Sequence, residues 1–404
     1  MAVVNLPRDI QMDILSRLPV ESLLRFKCVS KRYRYLISDP YFIKLHLNRS
    51  IHSKNWHKLS FYRFGPQSID YESLFGNNNV NDVSNAVVKL YPPFLSRSCD
   101  NLFCVIGSCN GLICYIVEHG QIILYNPSTR VYKKLPQPPH WIVGYFGFAY
   151  DSSNHDYKVI MATCHINDDI FKSCIFSLRD NSWRTMPDVG CNYVDILSLS
   201  SVDIFSLSGC CLNGALHWLL KPGVIVCFDL SKEVFSEMSL DGIQGGQEID
   251  LWFCRLGVLE GCLYAVSVSN GVNGRLVEVW LMKEYGVKAS WSKFISIPCD
   301  VDTLCFTPLC FLSNGELLLK IDRSNSGLYI DQEKLGSYNT KLNTFTKICD
   351  CPNVYEDVHE EYLYVESLVS PNSFDGPRSR SLSCGMKAVI SCWSSLFPSR
   401  FTED

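Results

Sequence analysis

The sequence lacks the features of several common protein classes. Its first residues contain no long apolar core, so we expect no secretory signal. It has no stretch of about 18 uncharged apolar residues, so we expect no stable membrane insertion. Charged residues make up only 19% of the chain, and the formal net charge is −4. This mild balance does not indicate a nucleic-acid or membrane partner.

Cys-x-x-Cys pairs are also missing, although the chain has 20 cysteines. Closed zinc sites usually take their ligands in such closely spaced pairs, so we expect no structural metal and no cofactor. Without a secretory signal, the cysteines are expected to stay reduced and to behave as small buried apolar side chains. This combination favours a cytoplasmic or nuclear location.

Charge divides the chain into two parts. Residues 1–50 contain nine Lys/Arg and four Asp/Glu, whereas residues 51–404 contain 28 and 37. With 47% hydrophobic residues, the chain can bury sizeable cores. A small basic module therefore precedes a long, mildly acidic one. We predict module boundaries at 1–47 and 48–370, followed by a flexible tail at 371–404.

The first module has the pattern of short helices. Apolar residues at four-residue intervals predict an amphipathic helix over residues 7–18, and these are Ile10, Ile14 and Leu18. Pro19 ends this helix, a second one follows, and Ser30 and Asp39 are candidate caps of a third and a short fourth. Four short helices with several apolar faces are a poor self-sufficient domain. They either cap the next domain or cover their spare face with a partner.

Residues 6–31 read LPRDIQMDILSRLPVESLLRFKCVSK, and this run resembles the F-box over about residues 4–45. The sequence departs from the family at Tyr33, where the family usually has tryptophan. The resemblance implies docking on the Skp-family adaptor protein and, through it, a cullin. The apolar residues that would supply a core and an adaptor-binding surface are Leu6, Pro7, Ile10, Ile14, Leu15, Leu18, Pro19, Leu23, Leu24 and Val29.

Two further expectations concern how this module binds. A charge placed at Leu15 or Leu24 should abolish adaptor binding and leave the second module folded. Several basic residues would favour an acidic partner and steer association, and they are Arg25, Lys27, Lys31, Arg32 and Arg34. A nucleic-acid role for the same charges lacks the glycine-aromatic motifs that RNA-binding domains carry.

The second module contains an internal repeat. An aromatic residue followed three positions later by an aliphatic or aromatic one occurs five times, with the aromatics 51, 52, 56 and 54 residues apart. The five pairs are Tyr132/Leu135, Trp183/Met186, Phe235/Met238, Trp291/Phe294 and Phe345/Ile348. A period near 50 residues with several strands per unit is typical of kelch-like propeller blades. Gly-Gly occurs only at residues 245–246, which argues against kelch repeats in the strict sense.

A propeller closes by pairing its first and last blades. Strand-like residues at about 57–75 and 362–369 have no complete blade of their own, so we predict that they share a sixth. The expected fold is α+β multidomain, with a small all-α F-box before an all-β, kelch-like propeller of about six blades.

The repeat module is also similar to the F-box-associated domain of plant F-box proteins. The segments that carry this likeness are GSCNGL at 107–112, YNPSTR at 125–130, YD at 150–151, DYKV at 156–159, NGALHW at 213–218 and VWLMKEY at 279–285. The resemblance implies a domain that recruits a target protein. It includes plant immune-receptor regulators and self-incompatibility proteins, so it leaves the target open.

Two residues of the repeat module could suggest catalysis. Cys109 lies in a GSCNG sequence that superficially matches a nucleophile elbow, but strands are expected on both sides of it where that motif needs a helix. His217 sits on an apolar strand, where a satisfied core histidine is the commoner role. We therefore expect no catalytic residue.

The sequence predicts a non-catalytic, substrate-recognition subunit of a Skp–cullin–F-box ubiquitin ligase that promotes ubiquitination and degradation of an unidentified target. The alternatives are a ligase-independent F-box scaffold and a propeller hydrolase.

Overall fold

A computed structural model describes residues 6–53, 56–62, 66–76, 87–90, 92–94, 104–117, 120–139, 144–165, 170–187, 189–190, 208–221, 224–240, 243, 252–271, 274–300, 302–323, 332–350 and 362–373. Within these ranges, four helices come first and six antiparallel sheets follow as the blades of a propeller. The predicted fold class is confirmed. Nearly all of the predicted tail, residues 374–404, lies outside the described residues.

The four N-terminal helices are α1 (Arg8–Leu15), α2 (Val20–Val29), α3 (Lys31–Ile37) and α4 (Pro40–His52). Two of the caps expected from sequence are present: the Ser30 hydroxyl accepts a hydrogen bond from Tyr33 N at 3.2 Å, and the Asp39 carboxylate accepts one from Tyr41 N at 2.9 Å. Helix α1 ends three residues earlier than predicted. Helix α4 is longer than the short helix expected and passes the proposed boundary at residue 47.

The six blades are four-stranded sheets, one with an extra short strand. Blade 1 combines β1 (His57–Tyr62), β2 (Pro66–Ile69) and β3 (Val87–Lys89) with β25 (Tyr362–Val365), and a short helix α5 (Tyr71–Gly76) follows β2. Blade 2 contains β4 (Cys104–Cys109), β5 (Leu112–Val117), β6 (Gln121–Asn126) and β7 (Val131–Lys134). Blade 3 contains β8 (Tyr145–Asp151), β9 (Asp156–His165), β10 (Ile170–Ser177), β11 (Ser182–Thr185) and the extra β12 (Val189–Gly190).

The remaining blades follow the same order. Blade 4 contains β13 (Cys210–Leu212), β14 (Ala215–Lys221), β15 (Val224–Asp229) and β16 (Val234–Ser239). Blade 5 contains β17 (Trp252–Leu259), β18 (Cys262–Gly271), β19 (Gly274–Met282) and β20 (Trp291–Cys299). Blade 6 contains β21 (Thr303–Phe311), β22 (Leu317–Arg323), β23 (Gln332–Asn339) and β24 (Thr344–Asp350). From blade 1 to blade 6, the first strand of each sheet adjoins the first strand of the next, with β25 taking that place in blade 1.

The repeated aromatic residues lie at or next to the start of the fourth strand in blades 2 to 6, opposite the end of the third. In three blades the two opposed residues are aromatic rings with centroids 4.7–5.3 Å apart: Phe176–Trp183, Phe228–Phe235 and Tyr338–Phe345. Such pairs stabilise a hairpin beyond the area they bury. The period near 50 residues is therefore the spacing of one cross-strand pair in each of blades 2 to 6.

Three of the turns between the third and fourth strands share one construction. The side-chain oxygen of the first turn residue accepts hydrogen bonds from the backbone N–H groups two and three positions later, and the residue four positions later has a positive φ. The turns built this way are Asn126 with Arg130 (φ 58°), Asp229 with Glu233 (φ 58°) and Asn339 with Asn343 (φ 54°).

The predicted sharing of blade 1 by the two ends of the repeat module is confirmed, because β1 pairs with β25 in the register His57↔Val365 to Ser60↔Tyr362. One detail of that prediction is wrong. The end of the stretch 57–75, where Tyr71 and Leu74 have the three-residue spacing of the repeat, is not a strand but lies in α5, where that spacing brings two side chains onto one helical face. Both are buried in a core shared with blade 6.

The helical module packs directly on the propeller. Ile43 and Leu47 of α4 contact the apolar core of blades 2 and 3. After β25, residues 366–369 run between the two modules, and we call this segment the strap. Leu368 of the strap is buried in the core of the helical module, and Val369 is buried in the core of blades 2 and 3. The two modules are thus connected at two places, through α4 and through the strap.

The aromatic pairs give a first prediction. Phe228→Ala should lower the free energy of unfolding by about 3–5 kcal/mol, because Phe228 is fully buried and its ring lies against Phe235. Val234→Ala, at a 53% exposed position on the neighbouring strand, should change it by about 0.5 kcal/mol or less. Urea unfolding followed by tryptophan fluorescence measures both. Equal effects of the two substitutions would contradict the role of the pair.

Candidate functional site

The helical module exposes an apolar row along α1. Leu6, Ile10 and Ile14, at four-residue spacing, are each 47% exposed, and we call this row the α1 stripe. Side chains four positions apart on a helix lie on one face, so Ile10 and Ile14 present one continuous apolar surface. Pro7, Pro19 and Val29 are exposed as well. Six of the ten residues predicted to bind the adaptor are therefore on the surface.

The other four predicted residues lie deeper. Leu15 and Leu23 are buried in the core of the helical module, together with Phe42 of α4 and Leu368 of the strap. Leu18 and Leu24 are half-buried at the edge of the same core. A charge at Leu15 would therefore disrupt this module itself and would not report on surface binding alone.

The α1 stripe has a rigid base. The Gln11 amide, on the buried side of α1, donates a hydrogen bond to Leu6 O at 2.5 Å and holds the start of the stripe. Arg49 of α4 donates to Asp13 O at 2.8 Å and to the Ser16 hydroxyl at 2.5 Å, and it pairs with the Asp13 carboxylate. The hydrogen bond from Arg49 lowers the pKa of Asp13. Helix α4 therefore holds the end of α1 in place.

The basic residues expected to attract an acidic partner differ in their surroundings. Lys31, Arg32 and Arg34 are exposed. Arg25 is exposed too, and it forms an ion pair with Glu21 at 2.5 Å. Burial lowers the pKa of Lys27. Two exposed aromatics were missed from sequence, namely Tyr35 (76% exposed) and Tyr41 (65%). The only available signal was their position away from the buried faces of α3 and α4.

The propeller residues weighed as catalytic have structural surroundings. Cys109 ends β4 and leads through the Asn110-Gly111 turn into β5, so the segment is strand–turn–strand, and burial raises the pKa of its thiol. His217 on β14 is buried, and its Nε2 lies 2.8 Å from the hydroxyl oxygen of Tyr285. Burial lowers the pKa of His217 to about 4, so the ring is neutral at neutral pH.

The described residues contain neither a metal-binding cluster nor a membrane-spanning helix. No group of three or more His, Cys, Asp or Glu side chains within those ranges is placed to hold a metal ion. No helix in the same part of the chain is long and apolar enough to cross a membrane.

Four helices with an exposed apolar stripe, joined to a six-bladed propeller, fit the architecture of an F-box protein that carries a propeller. Residues 4–45 match the F-box domain, and residues 60–371 match the F-box associated beta propeller domain. The chain belongs to this family of F-box proteins.

Relatives extend over nearly the whole chain. An F-box/kelch-repeat protein of Arabidopsis thaliana is 29% identical over 386 residues, covering 91% of this chain and 96% of the relative. The F-box protein CPR1 of the same plant is 30% identical over 402 residues, covering 91% and 89%. The family and the coverage agree with the two modules that the structure shows.

The division between stripe and core gives a second prediction. Ile14→Asp should change the free energy of unfolding by about 1 kcal/mol or less, because the new carboxylate faces water. Leu15→Asp should cost about 3 kcal/mol or more, because it places a charge in the F-box core. Hydrogen exchange of the α1–α4 amides measures the difference. Similar exchange in the two variants would show that the assigned faces of α1 are wrong.

His217 gives a third prediction, which concerns pH. Its pKa is about 4 when folded against an ordinary 6.5, so the unfolded chain takes up the proton first as the pH falls. The contribution of the neutral ring to the free energy of unfolding is fully present above about pH 6.5 and is lost as the pH falls from about 6.5 to 4. At about pH 5 the loss reaches about 2 kcal/mol.

His217→Gln removes this titration. In urea unfolding, the cost of the substitution should shrink between about pH 7.5 and pH 5, because only the wild type loses the contribution of its neutral histidine. Other acid-sensitive groups are present in both proteins and cancel in the difference. A cost that is the same at both pH values would contradict the assigned pKa.

Proposed function

We propose that this protein is the substrate-recognition subunit of a Skp–cullin–F-box ubiquitin ligase. Its F-box binds the Skp-family adaptor, which links it to a cullin, and one face of the propeller holds a target protein for ubiquitination and degradation. Ubiquitin transfer is carried out by the other subunits, and this chain contributes no catalytic group. The cytoplasm or nucleus is the proposed location.

The single observation that supports this function most strongly is the α1 stripe. A folded module that leaves Leu6, Ile10 and Ile14 half-exposed while burying Leu15 and Leu23 has a second apolar face with no partner in its own core. Since about half of each stripe side chain is still exposed, covering it contributes on the order of 1 kcal/mol per residue. The hydrogen bonds of Arg49 and Gln11 keep this face ordered before binding, which lowers the entropic cost of association.

The exposed charges of α3 add to this argument. Lys31, Arg32 and Arg34 lie on the module that carries the stripe, and they suit a partner with an acidic surface. Such charges mainly raise the association rate, whereas the buried apolar contacts keep the complex together.

The fourth prediction tests the stripe. Ile10→Asp and Ile14→Asp should each weaken binding of a recombinant plant Skp-family adaptor by about 100-fold or more, because binding would bury an unpaired carboxylate. Val234→Asp on blade 4 is the matched control, since it puts the same group at a 53% exposed apolar position of the propeller. Titration calorimetry on the full chain gives the affinities, and circular dichroism checks folding.

Unchanged affinity in both stripe variants would contradict an adaptor-binding role of α1. Co-purification with a cullin separates the proposed function from a ligase-independent scaffold. A chain that binds the adaptor through the stripe but never recruits a cullin would be such a scaffold.

A further inference from the structure

The strap is held by the propeller through buried hydrogen bonds. The Asn126 amide nitrogen donates to Ser367 O at 3.0 Å and to Val369 O at 2.7 Å. The Ser367 hydroxyl donates to Asn110 O at 2.8 Å. Asn126 and Ser367 are both fully buried. Buried polar groups with satisfied partners define a single geometry, because every alternative leaves one of them unpaired.

The strap also joins the apolar cores of the two modules. Leu368 enters the F-box core beside Leu15 and Phe42, whereas the next residue, Val369, enters the core of blades 2 and 3. At the other end of the strap, Glu366 N donates to Trp56 O at 2.8 Å, in the segment that leads from α4 into blade 1. Four consecutive residues thus contact the F-box, the propeller and the connection between them.

Gly111 makes room for the strap. A Cβ atom there would lie 2.6 Å from Val365 O and closer still to the Ser367 hydroxyl. Gly214 and Gly261 occupy the same turn in blades 4 and 5 with nearly the same φ (76° and 77°, against 82°), and a Cβ atom at either would meet nothing within 4 Å. The turn conformation explains a glycine in all three blades, and the close approach of the strap is particular to Gly111.

Asn126 has two functions that can be separated. Its side-chain oxygen accepts from Ser128 N and Thr129 N to build the turn, and its side-chain nitrogen binds the strap. Asp229 builds the equivalent turn of blade 4 with a carboxylate. An aspartate at position 126 would therefore keep the turn, lose the hydrogen bonds that the amide nitrogen donates to the strap, and face two carbonyl oxygens with a negative charge.

We propose that the strap fixes the position of the F-box relative to the propeller, with Asn126 and Gly111 as its positioning residues. This rests on the proposed function, in which a bound target must be held at a fixed place relative to the transfer machinery. The strap itself has no part in binding the adaptor. Its role is to make the F-box and the propeller one rigid body.

The fifth prediction tests this placement with Asn126→Asp, using Asn339→Asp as the matched control. Asn339 builds the same turn in blade 6, and none of the strap hydrogen bonds described above goes to it. In solution X-ray scattering of the full chain with a plant Skp-family adaptor bound, Asn126→Asp should shift the complex to a larger radius of gyration. Amide exchange in the strap and α4 should become at least about tenfold faster. Adaptor affinity should stay within about twofold, because the exposed stripe side chains face away from the F-box core that Leu368 enters.

A second, independent test compares Gly111→Ala with Gly214→Ala as its control. Both substitutions carry the same backbone strain, so any extra loosening in Gly111→Ala comes from contact with the strap. We expect Gly111→Ala, and not Gly214→Ala, to reproduce the larger radius and the faster exchange.

Three results decide the proposal. The proposal would be overturned if Asn126→Asp and Gly111→Ala gave the same radius of gyration and the same amide exchange as their controls. Loss of amide protection throughout β13–β20 in both variants would overturn it too, because the strap would then support the propeller fold and not its placement. Failure of the wild type to bind the adaptor would reject the proposed function alone, since scattering of the free chain still tests the strap.

Discussion

The pairing of β25 with β1 is the constraint on which the rest of the structure depends. It joins His57 to Val365 and so brings together the two ends of the repeat module. Without it, blade 1 would lose its first strand and β1 would present an unpaired edge. The F-box is attached at one side of this closure through α4 and Trp56, and the strap leaves from the other side. Closing the ring therefore also places Leu368 in the F-box core.

Buried polar contacts connect neighbouring blades in the same way that the strap connects the modules. Lys158 of blade 3 donates to Asp151 at 2.7 Å, and across the blade boundary to Leu230 O at 2.5 Å and Glu233 at 3.0 Å. His217 of blade 4 contacts Tyr285 of blade 5. Breaking one partner of such a buried set leaves an unpaired charge or polar group, so these residues specify how adjacent blades sit. The titratable groups that stand out in the propeller have this structural use.

Much of this architecture could be predicted from the sequence, and the reason is the period. In five of the six blades an aromatic residue near the start of the fourth strand recurs at nearly constant spacing, so Trp183 and Phe235 mark their blades without any structure. The shared blade 1 followed from the need to close the ring. The caps at Ser30 and Asp39 followed from local hydrogen bonding, which depends on a few neighbouring residues only.

The parts that could not be predicted depend on distant contacts. Ile14 and Leu15 are adjacent and equally apolar, and only the packing of α4 and Leu368 decides that one is exposed and the other buried. Tyr71 and Leu74 match the spacing of the repeat because three residues separate neighbours on a helix as well as the ends of the motif. The GSCNGL and YNPSTR segments stood out as family-like, but their link to the strap spans more than 200 residues of chain.

The topology places the turns that contact the strap and the connections after second strands on opposite faces of the propeller. Each blade strand crosses the propeller, so the turns after first and third strands lie on one face and the connections after second strands lie on the other. Asn110 and Asn126, which hold the strap, lie at turns of the first kind in blade 2. Changes in the connections on the other face would thus leave the strap hydrogen bonds intact. If the proposed recognition surface is built from these connections, it can vary without changing the strap hydrogen bonds at the opposite face of the same sheets.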